Sequence, residues 1–69
     1  MIWHAALDLS GAAARVAVRD EQTGRVAGEA ALAMRGRDAA RLAPWVLENL
    51  AAWGVEPGRI ERWTVGSGP

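Results

Sequence analysis

The sequence predicts an α/β fold: a three-stranded antiparallel meander, one crossover helix, and a fourth strand parallel to the first. Three observations carry that prediction. A short apolar run at residues 2–8 is followed by two alternating runs with turn-forming residues between them. A stripe of helical period then occupies residues 39–53, and a last apolar run follows at 60–65. A helix between two strands is the connection that parallel pairing requires, and its right-handed form lays the last strand beside the first. The predicted spatial order is therefore three, two, one, four.

Each element has its own signature. Ile2–Asp8 is apolar with little polar alternation, as suits a central strand covered on both faces, and "DLSG" turns the chain. Residues 14–19 alternate, with Val16 and Val18 on one side and Arg15, Ala17 and Arg19 on the other. "RDEQTGR" reads as a hairpin loop in which Gly24 supplies a positive φ. In the third strand, 25–34, Val26, Ala30, Leu32 and Met34 are expected to point one way and Arg25 and Glu29 the other. Gly28 inside that run suggests a bulge or a close approach.

Asp38 is the expected N-cap of a helix over 39–53, closed by Gly54. Leu42, Val46, Leu50 and Trp53 share one face, and Pro44 is expected to kink the first turns or to delay the helix toward Leu42. The far side carries Trp45, Leu47, Ala51 and Ala52, with only Arg41, Glu48 and Asn49 among them. That is too apolar for open water and predicts a second covering surface, from further sequence or from a partner.

Composition narrows the function classes. The 69 residues allow one domain, and a chain of that size buries only about 60% of its unfolded surface. Eight basic residues balance eight acids, so there is no broad field to hold a phosphate backbone, and autonomous nucleic-acid binding is not expected. No cysteine and a single histidine argue against a metal cluster, and the absence of cysteine fits a reducing, cytoplasmic setting. No apolar stretch approaches the ~20 residues of a membrane span, and the N-terminus lacks a signal-peptide pattern.

Two turns converge in the predicted topology. With the first and fourth strands as parallel neighbours, Asp8, Ser10 and Gly11 lie beside Gly66 and Gly68 at the carboxyl ends of their strands, where open α/β sheets place ligands. Asp8 could orient water or a metal-bound phosphate there, against the plainer reading that Asp8 and Ser10 cap a turn. "GSGP" is neither a Walker loop nor a dinucleotide fingerprint. His4, in mid-strand with no nucleophile near it in sequence, reads as a core or partly covered histidine. Trp3, Trp53 and Trp63 read as core, and Trp45 as an interface residue.

Several segments together resemble a known family. "IWHAALDLSGAAARVAVRD" is similar to the opening strand-turn-strand of the actin-like ATPase superfamily, the fold of sugar kinases, Hsp70 and actin, and most closely to the TsaB family, also called YeaZ and once classed as glycoprotease-like. "DAARLAPWVLENL" resembles that family's first helix, which typically begins His-Ser and contains Leu-Leu-Pro. "WGVEPGRIERWTVGSGP" resembles the next turn and strand, which in the family run into Gly-Pro-Gly-Ser-Phe-Thr-Gly-Leu-Arg. Here Asp38-Ala39 and Leu42-Ala43-Pro44 replace the usual helix motifs, and the glycine signature is represented only by its start. The resemblance spans the chain as the first third of a family member.

The resemblance implies a single N-terminal subdomain, residues 1–69, of an incomplete ribonuclease H-like or actin-like lobe. It implies a non-catalytic subunit, with no catalytic residue, metal or cofactor of its own. Such a subunit pairs with a TsaD-like catalytic subunit and works with a TsaE-like ATPase, which install threonylcarbamoyl on the tRNA adenosine beside the anticodon. It also implies pairing, including a homodimer, through the helix at 39–53, with Leu42, Trp45, Val46 and Asn49 as the interface candidates. Two alternatives stay open: a segment of an actin-fold ATP-dependent kinase or ATPase, with Asp8 and Ser10 near the nucleotide phosphates, and a small self-associating module. The 69-residue chain alone is expected to turn nothing over, because half a cleft cannot exclude water.

Overall fold

The computed structural model describes residues 1–9, 13–33 and 39–66. Its elements are β1 (Trp3–Asp8), β2 (Ala13–Asp20), β3 (Val26–Ala33), α1 (Ala39–Ala52), a 3₁₀ turn at Pro57–Arg59 and β4 (Ile60–Gly66). The four strands form one sheet in the order β3-β2-β1-β4, antiparallel except where β4 runs parallel to β1. This is the predicted α/β topology. The expected N-cap, Asp38, lies outside the described residues, as do Ser10, Gly11 and Gly68.

The alternation of β2 decides which face is the core. Ala14, Val16 and Val18 are buried, and Val16 and Val18 with Ala5 of β1 meet Val46 and Leu50 of α1 and then Val55 and Ile60 beyond it. Trp3, Leu7, Leu42, Trp45 and Trp53 pack around that cluster. The helix ends as its sequence demands. Gly54 takes φ +71°, its amide reaches the Ala51 carbonyl at 3.1 Å, and the Val55 amide reaches the Leu50 carbonyl at 2.9 Å. These are the two bonds of a Schellman cap, and Val55 and Leu50 supply its apolar contact. Pro44 neither delays nor ends the helix, which runs unbroken through it. Ala40, whose carbonyl loses its i+4 donor to that proline, is exposed, so water can serve it.

One facing expectation in β3 is corrected. Arg19 pairs with Val26 and Val18 with Gly28, so Ala27 is an extra residue in a β-bulge. The inserted residue reverses the alternation. Val26 falls opposite Arg19 and stays half exposed, while Ala27 and Ala30 pack on the core. Gly28 lies directly beneath the Trp53 indole, with no room for a Cβ.

The β2–β3 loop is built on one acid. Asp20 is buried, and its carboxylate accepts hydrogen bonds from the Gln22 amide at 3.0 Å, the Thr23 hydroxyl at 3.1 Å and the Ile2 amide at 3.2 Å. The Gln22 amide does most to hold this carboxyl below its ordinary value. Burial opposes it, and the Ile2 amide and Thr23 hydroxyl add to the lowering. The Gly24 amide closes the turn on the Asp20 carbonyl at 2.7 Å, at φ +76°. The same acid therefore shapes the loop and ties down the amino-terminal segment.

Candidate functional site

The parallel register brings the ends of β1 and β4 together. Asp8 stands opposite Gly66, and the Leu9 amide donates to the Gly66 carbonyl at 2.8 Å. On its other side Asp8 faces Arg15 of β2. Of the five sequence candidates at this end, the described residues thus place Asp8 and Gly66 side by side. No group of three metal-binding side chains occurs among the described residues.

Away from α1, the sheet presents an open face whose composition follows from strand alternation. Three ranks cross it, read from the registers of the four strands. The first holds Val26, Arg19, His4 and Arg62, the second Glu29, Ala17, Ala6 and Thr64, and the third Ala31, Arg15, Asp8 and Gly66. The alanines leave the middle low and the charged ranks rise on either side. The result is a trough of about 520 Å³ bordered by Asp8, Arg15, Glu29 and Thr64 over Ala6 and Ala17. An apolar floor with charged walls of both signs can seat a flat or helical apolar group and fix its polar ends.

The same face holds an arrangement that sequence reading did not assemble. His4 Nε2 lies 2.7 Å from Thr64 Oγ1, and His4 Nδ1 lies 3.1 Å from Glu21 Oε1. Arg62 reaches the same Glu21 oxygen at 3.5 Å. The carboxylate can only accept, which places a proton on Nδ1; in the neutral ring Nε2 is then the acceptor of the Thr64 hydroxyl. His4 is partly covered, with its side chain 17% exposed. Thr64 is 60 residues away in sequence and Glu21 sits in a turn, so only the β1–β4 pairing and the loop shape unite them.

The helix candidates fall in different environments. Val46 lies in the core at 7% exposure, and Leu42 and Trp45 are half-buried against it. Asn49 is half-buried and donates from Nδ2 to the Trp45 carbonyl at 2.8 Å. The apolar surface left open on the helix side is carried instead by Leu47 and, on β4, by Trp63 and Val65. Trp63 is therefore not a core residue, a correction to the sequence reading. Among the described residues β4 is the last strand of the sheet, and within it only Ile60 is buried.

Among the described residues, no helix is long and apolar enough to cross a membrane. No family model matches the chain, and no curated protein does. Two solved structures are similar to it over its whole length. One is a Pseudomonas aeruginosa protein described as uncharacterized with similarity to the peptidase YEAZ, at 32% identity and a TM-score of 0.81. The other is YeaZ from Pseudomonas aeruginosa, at 32% identity and a TM-score of 0.80. Each comparison covers 100% of this chain and 31% of the other, so the chain spans about a third of the length of the structures it matches.

Proposed function

We propose, from the premise that this chain is a YeaZ-like N-terminal segment, that it serves as the scaffold part of an accessory subunit for threonylcarbamoyl transfer to the tRNA adenosine next to the anticodon. In this reading it pairs with a TsaD-like catalytic subunit, is served by a TsaE-like ATPase, and performs no turnover in that reaction. The observation that carries the reading is the combined likeness, 32% identity with a TM-score of 0.81 across every residue of the chain. One further feature supports it. The helix-side surface keeps Leu47, Trp63 and Val65 open, as a pairing surface requires.

Co-purification tests the proposal directly. The protein carrying this segment should co-elute with the TsaD-like subunit of the same cell, and Leu47→Asp should weaken that association at least tenfold while the far-ultraviolet spectrum is kept. Absence of any association by the unmodified protein would sink the reading.

A further inference from the structure

We propose that Thr64 is an acyl-acceptor site, a hydroxyl poised by His4 and Glu21 to take an acyl group from a small activated ester. The inference does not depend on the accessory-subunit reading. It rests on two observations that meet at one oxygen.

First, the relay is complete in the order that activates a hydroxyl. Glu21 fixes the His4 tautomer through Nδ1 at 3.1 Å, and Nε2 faces Thr64 Oγ1 at 2.7 Å. Both distances lie within the reach that base-assisted nucleophiles use. Second, the hydroxyl is accessible. Thr64 is exposed and lines the trough, whose floor of Ala6 and Ala17 gives an acyl chain somewhere to lie.

The step balances without a further reagent. The Thr64 oxygen bonds to the acyl carbon as its proton passes to His4 Nε2. The bond from that carbon to the leaving alkoxide or phenolate breaks, and the proton follows the leaving group or enters solvent. Nothing is oxidised or reduced, and the product is an acyl-threonine.

The chain is well suited to the test, because it holds no lysine, cysteine or tyrosine to compete for the acyl group. The whole chain is treated with p-nitrophenyl acetate, and the site of acetylation is mapped by peptide mass spectrometry. One acetyl group is expected on Thr64, absent in Thr64→Val, which keeps the β-branched shape, and formed roughly 100-fold more slowly in His4→Gln. Should His4→Gln fail to fold, Glu21→Gln reads the same relay through the lost tautomer control. Acetylation confined to the Met1 amine would overturn the proposal. So would labelling of Thr64 at an unchanged rate in the relay variants, or nitrophenolate release that needs His4 but not Thr64.

Discussion

At the scale of single residues, Gly28 has the sharpest requirement. A Cβ built there would meet the Trp53 indole, and that ring is itself seated on the core. A Gly28→Ala chain must move either the ring or the bulged strand, which overpacking data place at about 1–3 kcal/mol. Urea midpoints should record that loss, and pairing the change with Trp53→Leu should recover most of it through coupling of neighbours. Equal losses in the single and double variants would show that Gly28 matters through its backbone and not through the indole. Gly28 was legible in the sequence as an exception inside an alternating run, but its partner was not. Trp53 comes to rest on it only once the Schellman cap has ended α1. The His4 relay was illegible for a stronger reason, since its members lie on β1, on β4 and in the loop that Asp20 shapes.

At the scale of elements, what the sequence states locally was readable and what pairing decides was not. The period of α1, the alternation of β2 and the glycine after the helix are each written in adjacent residues, and each led to the right element. The strand order followed from the crossover rule. Val26 was assigned to the wrong side because a bulge is a property of two strands, and no residue of β3 alone announces where β2 will slip. Trp63 misled for a related reason: an apolar residue in a strand implies a covered face only if something lies over it, and beyond Ile60 the residues of β4 are exposed. The cap of α1 gives this scale its test. Gly54 is held at φ +71° with open space around it, so a side chain there costs backbone strain and not a clash. Gly54→Ala should lower stability by about 1 kcal/mol, and Gly54→Asn by less, because asparagine tolerates the left-handed region. A thermal melt that ranks the two the other way would argue against strain as the cause.

At the scale of the whole molecule, the chain is thin and wide, 36 × 24 × 16 Å, one sheet under one helix. Its accessible surface of 4854 Å² exceeds the roughly 4,200 Å² that its mass predicts for a folded monomer. A molecule of this form concentrates its stability in a small part of itself. Leu50, Val16 and Val18 are the largest fully buried side chains, and they meet where α1 crosses β2. Leu50→Ala removes the centre of that contact and should cost about 2–5 kcal/mol. A core of this size rarely supplies more than about 3–5 kcal/mol in total. The variant should therefore be largely unfolded by circular dichroism at room temperature. Val65, by contrast, is 60% exposed on the edge strand, so Val65→Thr should change the urea midpoint by less than about 0.5 kcal/mol. The difference between the two variants carries the argument. If Val65→Thr were as damaging as Leu50→Ala, the outer face of β4 would already be covered in solution by something that this single chain does not provide, and the surface excess would be filled and not open. If only Leu50→Ala unfolds the chain, the core is the single layer described above, and the apolar surface at Leu47, Trp63 and Val65 stays available for the pairing on which the proposed function depends.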